Sequence, residues 1–159
     1  MKKIDSFTVD HDRLKRGIYV SRKDWVGEEV LTSFDIRTKL PNQEPAMDIS
    51  AMHTMEHLGA TFLRNHEHWA DQTVYFGPMG CCTGFYMIFH GDLISEDVVE
   101  VVREMFQFMS DFKEKVPGTD KIECGNYKSH DLAAARLEAE LYSKEVLDKL
   151  SDENLNYPQ

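Results

Sequence analysis

The sequence predicts an α+β fold, with one antiparallel β-sheet and helices packed on one of its faces. Three observations carry that prediction. Two β-branched and aromatic runs flank a glycine turn early in the chain, the signature of an antiparallel hairpin. Later strand-like runs follow each other without alternating crossover helices, which argues against a parallel sheet. Three stretches carry apolar residues at helical spacing.

The elements follow in order. Residues 1–16 are polar and charged, anchored only by Ile4, Phe7, Val9 and Leu14, and read as an arm with a short helix around Asp10 to Arg16. Gly17-Ile18-Tyr19-Val20-Ser21-Arg22 and Val30-Leu31-Thr32-Ser33-Phe34-Asp35-Ile36-Arg37 form the hairpin, joined at Val26-Gly27-Glu28, with Phe34 to Arg37 alternating apolar and charged. Pro41 to Pro45 then break the chain. From Asp48 to about Asn65 the spacing predicts a helix with Ala51, Met55, Leu58 and Phe62 as its stripe, and Met52, Gly59 and Leu63 alongside. Val74 to Phe76 and Gly84 to Phe89 are two further strands, linked through Pro78-Met79-Gly80-Cys81. Ser95, Glu96 and Asp97 suit a helix start because carboxylates favour the positive end of the helix dipole. Val98, Val101, Val102, Met105 and Met109 give that helix its buried face, and Pro117-Gly118 is the expected stop. A last helix is expected over about Asp131 to Leu150, carrying Leu137, Leu141 and Leu150, followed by a frayed polar tail from Ser151 to Gln159.

Composition bounds the function. The 159 residues are enough for one domain spanning 1–159 and too few for two. A net charge of -10, from 18 Lys and Arg against 28 Asp and Glu, disfavours phosphate backbones and anionic membranes, so no nucleic acid and no membrane partner is expected. No apolar run follows Lys2 and Lys3, so a secretory signal is not expected, and no segment approaches the length of a membrane span. Three cysteines, two of them adjacent, make a poor disulfide framework and fit a reducing, cytoplasmic setting.

The chemistry concentrates in three places. His53-Thr54-Met55-Glu56-His57 lies in the expected helix, so two imidazoles one turn apart can grip one metal ion with Glu56 beside them as an acid/base. In this His-x-x-Glu-His order the Glu precedes the second His, the inverted arrangement of inverzincins. The bland alternative is two histidines placed by chance on a surface or in a core. A catalytic site needs a third ligand, and Cys124, beside Gly125, is the best candidate, with Cys81 and Cys82 still open. Cys124 can equally be a small buried hydrophobe. Cys81 stands in a corner between Gly80 and Gly84, where backbone N–H groups favour a thiolate, whereas Cys82 reads as a packing residue.

Taken together, the His53 to His57 motif, Pro78-Met79-Gly80-Cys81 with Thr83-Gly84-Phe85-Tyr86, and Cys124-Gly125 resemble the LuxS family, S-ribosylhomocysteine lyase. The resemblance extends to Ser6-Phe7-Thr8-Val9-Asp10-His11, Phe34-Asp35-Ile36-Arg37 and His130-Asp131-Leu132, in collinear order over most of the chain. It implies a homodimer with two active sites at the subunit interface. It implies His53, His57 and Cys124 as metal ligands, Fe(II) as the metal with Zn(II) or Co(II) as replacements, and Glu56 and Cys81 as general acid/base groups. Arg37 would lie close to Cys81, and Ser6 and His11 would reach the substrate from the partner chain. Two departures from the family pattern stand out: Cys82 where a larger polar residue is usual, and Tyr75-Phe76-Gly77 where Asp-Ile-Ser is usual.

The implied reaction is a carbon–sulfur lysis: the sugar carbonyl of S-ribosylhomocysteine migrates from C1 to C3, and β-elimination then releases homocysteine. The other product would be 4,5-dihydroxy-2,3-pentanedione, the autoinducer-2 precursor used in quorum sensing. Rival readings are an inverzincin-type metallohydrolase, a closed metal-binding module without activity, and a LuxS-like protein that has lost activity at Tyr75 to Gly77.

Overall fold

Side-chain alternation decides which face of the sheet is covered. In the computed structural model, which describes Met1 and residues 3–158, strands β1 (Gly17–Val26) and β2 (Glu29–Arg37) pair antiparallel as expected. Strands β3 (Thr73–Pro78) and β4 (Gly84–His90) form a second hairpin. Among the described residues these four make one antiparallel sheet in the order β1-β2-β4-β3. Successive residues of a strand point to opposite faces. Phe34, Ile36, Phe76, Phe85, Met87 and Phe89 enter the core beneath the helices, so Ser33, Asp35, Arg37, Tyr86 and Ile88 project from the other face. That outer face carries one half of the candidate site. The first strand runs to Val26, past the expected end at Arg22, because a bulge between Val20 and Arg22 resets the register and lets pairing continue.

Three helices cover the inner face. Helix α1 (Ile49–Arg64) starts where Asp48 accepts the Ser50 amide at 2.8 Å, and it buries Met52, Met55, Leu58 and Leu63. Full burial of each such side chain is worth about 1.5–3 kcal/mol. Helix α2 (Val99–Asp111) buries Val101, Val102, Met105, Phe106 and Met109. A 3-10 turn over Ser95–Val98 leads into it, and Asp97, not Ser95, serves the turn's start by accepting the Ile94 amide at 2.9 Å. This helix stops at Asp111, short of Pro117. Its apolar stripe ends at Met109, and the chain must leave the helix to bring Pro117 over α1. Helix α3 (Leu132–Glu145) is capped by Asp131, which accepts the Ala134 amide at 2.9 Å. It ends at Glu145, short of Leu150, and a 3-10 turn over Leu147–Lys149 follows. Its buried face is Ala135, Ala139 and Tyr142, while Leu137 and Leu141 point outward. Small alanines let α3 approach its neighbours where leucines would hold it off. No helix among the described residues is long and apolar enough to cross a membrane.

Both termini depart from expectation. The arm has no helix at Asp10 to Arg16. Asp10 instead accepts the amides of Asp12 and Arg13 at 3.1 and 3.3 Å, closing a turn with the groups a helix would need. A 3-10 turn forms earlier, over Asp5–Phe7. The tail is seated, not frayed, as far as Pro158; Gln159 lies outside the described residues. Asn154 donates its side-chain amide to the Arg16 carbonyl at 2.9 Å, and Ser95 donates to the Leu155 carbonyl at 2.9 Å. A Cβ at Gly17 would lie 2.1 Å from the Asn154 carbonyl oxygen, so glycine is what lets the tail close on β1. Tyr157 then stacks on Tyr19, ring centroids 4.7 Å apart.

Candidate active site

The first half of the site is assembled from α1 and the loop before α3. His53 and His57 sit one turn apart on α1, rings 4.8 Å apart. His53 donates from Nδ1 to the Ser129 carbonyl at 2.7 Å, and His57 from Nδ1 to the Pro117 carbonyl at 2.8 Å. A carbonyl only accepts, so both protons are assigned to Nδ1 and both Nε2 lone pairs are left bare. Cys124 reaches this group, its Sγ 3.5 Å from Nε2 of His53. Cys81 and Cys82, left open as third ligands by spacing, are absent from the group, which takes only Cys124.

His130 joins them, and sequence reasoning missed it as a donor. Its ring stacks on His53 at 3.9 Å, and its Nε2 is 3.8 Å from the Cys124 sulfur. The link is Thr54. Its hydroxyl donates to the Ser50 carbonyl at 2.9 Å and accepts the Asp131 amide at 2.9 Å, tying the start of α3 to α1. The same oxygen stands 3.3 Å from His130 Nδ1 and can accept its proton. Burial, with His53 and His57 nearby, pushes His130 down to about 4, so at neutral pH it keeps its lone pair. The available signal was the position of His130 between Cys124 and the cap Asp131.

The ligand atoms of His53, His57, Cys124 and His130 lie within 4.8 Å of one another. Nδ1 protons held by carbonyl and hydroxyl oxygens are the outer partners that metal-binding imidazoles use. The residues therefore fit a borderline divalent metal such as iron, zinc or cobalt.

The second half lies on the outer sheet face. Cys81 is in the turn between β3 and β4, closed by Cys82 N–H donating to the Met79 carbonyl at 2.9 Å, with Cys82 at a φ of 57°. Arg37 donates from Nη1 to Thr83 Oγ1 at 2.6 Å and stands 3.8 Å from Cys81 Sγ. Because Thr83 accepts from Arg37, its own proton is free for the Cys81 sulfur, 3.0 Å away. Burial pushes the Cys81 thiol up, but the Thr83 hydrogen bonds and the Arg37 charge outweigh it, leaving the thiol below its ordinary value. Asp35 takes the rest of the guanidinium, at 3.1 Å from Nε and 2.6 Å from Nη2.

Ser6, His11, Arg37, Cys81, Tyr86 and Tyr157 line one cavity of about 220 Å³. His11 is held by a contact of its Nδ1 with the Val9 carbonyl at 2.9 Å. Glu56 and His57 line a different cleft, with Phe76, Pro117 and Gly118. Within one chain, Glu56 with His57 and the Cys81 thiol thus line separate clefts. Tyr75 leans over Gly77, where a Cβ would meet its hydroxyl at 2.1 Å, so the two departures at 75 and 77 accommodate each other. Burial, then the charge of Glu56, raise the Tyr75 phenol, which places Tyr75 in the electrostatic field of Glu56.

Fold and site define a class: an α+β protein whose imidazole–thiol group can hold a metal ion, carrying a second, activated thiol in its own cleft. The chain belongs to the S-ribosylhomocysteinase (LuxS) family, whose model matches residues 4–153. It is 55% identical to an S-ribosylhomocysteine lyase of Desulfotalea psychrophila over 158 residues, covering 99% of both chains. It is 57% identical to that of Phocaeicola vulgatus, covering 99% of this chain and 98% of the relative. With the Clostridium acetobutylicum S-ribosylhomocysteine lyase it shares 54% identity over 159 residues, all of both chains.

Proposed function

We propose that this chain is an S-ribosylhomocysteine lyase, a carbon–sulfur lyase that works as a cytoplasmic homodimer. The observation that carries the reading is the meeting of Cys124 with His53 and His57, 3.5 Å from the nearer imidazole, in a chain whose full-length relatives bear that name. The same relatives weigh against an inverzincin-type hydrolase, and the donor group contains no downstream carboxylate.

His53, His57 and Cys124 would hold the metal, Fe(II) in the cell with Zn(II) or Co(II) as replacements, and His130 stands beside them. When bound, the metal supplies Lewis-acid stabilisation of negative charge on the sugar oxygens. The protein's own residues move the protons. One base takes the C2 proton of the open-chain sugar and returns a proton at C1, carrying the carbonyl to C2. The same exchange between C3 and C2 carries it to C3. Removal of the C4 proton then expels homocysteine from C5 as a thiolate that takes up a proton. The C4–C5 enol left behind gains a proton at C5 and loses its hydroxyl proton to give 4,5-dihydroxy-2,3-pentanedione, the autoinducer-2 precursor. A thiolate at Cys81 and the Glu56 carboxylate are suited to this work, since each can take a proton from one carbon and return it to the next. Arg37 and Thr83 favour the thiolate form of Cys81, and Ser6 and His11 would bind the sugar from the same cleft.

The dimer supplies the missing proximity. Glu56 and Cys81 line separate clefts of one chain, so the thiol cleft of one protomer would face the metal group and Glu56 of the other. The outer sheet face supports such contact, with Tyr75 44%, Ile4 56% and Phe7 68% exposed beside it. Free cysteines at 81, 82 and 124 support the cytoplasmic setting.

The test is thiol release from S-ribosylhomocysteine by protein loaded anaerobically with Fe(II). Wild type and Cys82→Ala are expected to release homocysteine, while Cys81→Ala and Glu56→Gln are not. No release from metal-replete wild type would overturn the reading.

A further inference from the structure

We infer that Tyr157, on the C-terminal segment, is a positioning residue that acts through Asp35 to hold Arg37 against Cys81. The inference deepens the lyase reading and rests on Cys81 as an acid/base group.

The geometry is a chain of direct contacts. Tyr157 donates its hydroxyl to Asp35 Oδ2 at 2.9 Å. Asp35 takes Arg37 through Nε and Nη2, so both carboxylate oxygens are occupied and the guanidinium plane is set. Nη1 alone is left, and it serves Thr83 and Cys81. The Asp35 and Arg37 side chains are 3% and 4% exposed, which puts their interaction in a low-dielectric setting. Tyr157 is part of that cover: its ring lines the Cys81 cavity and stacks on Tyr19.

The segment carrying Tyr157 is seated independently of the site. The Tyr19 hydroxyl is shared between the Lys15 and Glu153 carbonyls at 3.0 and 3.1 Å, Lys15 pairs with Glu153, and Asn154 and Leu155 bond Arg16 and Ser95. Burial, then Asp35, raise the Tyr157 phenol, so it stays protonated and remains a donor through the neutral range. Without this cover, water reaches the Asp35–Arg37 pair, the guanidinium gains freedom, and its hold on the thiolate weakens.

The test uses metal-loaded full-length protein in a Cys82→Ala background, so that the adjacent thiol does not report. Tyr157→Phe and a chain ending at Asn156 are compared with it. Alkylation of Cys81 by iodoacetamide, read by peptide mass spectrometry across pH, needs no substrate; kcat and KM for thiol release are measured separately. Tyr157→Phe keeps the stacked ring and loses the hydroxyl, and with it the proton to Asp35 and the contact with Ser21. Its alkylation midpoint is expected to move up, with the rate below the midpoint falling about threefold and kcat falling more than KM changes. The shortened chain is expected to lose about tenfold in the same rate, with KM raised as the cavity wall is removed. An unchanged alkylation profile in both variants, whatever happens to thermal stability, overturns the inference and leaves Tyr157 a structural residue. If the wild type releases no thiol, the lyase reading fails while the alkylation profile still judges Tyr157.

Discussion

Replacing Asp35 with Asn removes one charge from a pair nearly sealed from water, at 3% and 4% side-chain exposure. Asp35 accepts three hydrogen bonds, two from Arg37 at 3.1 and 2.6 Å and one from Tyr157 at 2.9 Å. An amide offers one oxygen where the carboxylate offered two, and its NH2 faces a donor. Arg37 stays buried and charged with only the Cys81 sulfur, 3.8 Å away, to oppose it, and breaking a buried pair by removing one partner costs about 3–5 kcal/mol. Retained bonds to the Asn oxygen and to Thr83 put the expectation near the lower end, about 3 kcal/mol. With a urea slope of about 2 kcal/mol per molar, the unfolding midpoint should fall by about 1.5 M. The assay is urea unfolding followed by far-UV circular dichroism at one fixed protein concentration, since the stability of the proposed dimer would depend on concentration. A double variant, Asp35→Asn with Arg37→Met, removes the stranded cation and should regain most of the lost stability without regaining Cys81 reactivity. A loss under about 1 kcal/mol in the single variant, or a double variant no more stable than it, would refute the account of a buried, charge-compensated pair.

Three further outcomes are expected. His57→Ala, which removes one of the three proposed ligands, should lose the metal on dialysis, whereas His130→Ala, which leaves His53, His57 and Cys124 in place, should retain it with affinity lowered about tenfold, both read by elemental analysis. Cys81 should be alkylated rapidly at a pH where an ordinary thiol is mostly protonated. Because its folded value lies below the unfolded one, its stabilising contribution is full above the ordinary thiol value and is lost as pH falls through the folded value; Arg37→Gln should shift the alkylation midpoint upward. Gly17→Ala should push the Asn154 carbonyl away, lowering the melting temperature and loosening the tail, read as faster amide exchange over residues 153–157.

Local patterns in the chain were enough for much of this. The alternation of Phe34, Asp35, Ile36 and Arg37 already puts the apolar pair on one face and the charged pair on the other, which is how they stand. The spacing of His53 and His57 already puts both imidazoles on one side of a helix, and the collinear motifs already mark Cys81 and Cys124. Expectations failed where a helical signal was overruled by a competing turn or by a distant partner. Asp10 closes a turn in place of a helix, and the leucines of α3 face out while its alanines face in. The polar tail has little to bury on its own account, yet it docks because Gly17, Arg16, Tyr19 and Ser95 offer it backbone and hydroxyl partners.

The sequence by itself determined the sheet's two faces, the helices that cover one of them, and the residue types that could hold a metal and would move protons. These depend on the period of side chains along a strand or helix, which is local. Only the tertiary structure decided that His130 stands beside Cys124, that Arg37 is shared between Asp35 and the Thr83–Cys81 corner, and that Tyr157 closes over the pair. Those contacts join groups as far apart along the chain as Asp35 and Tyr157, and packing alone brings them within hydrogen-bonding range.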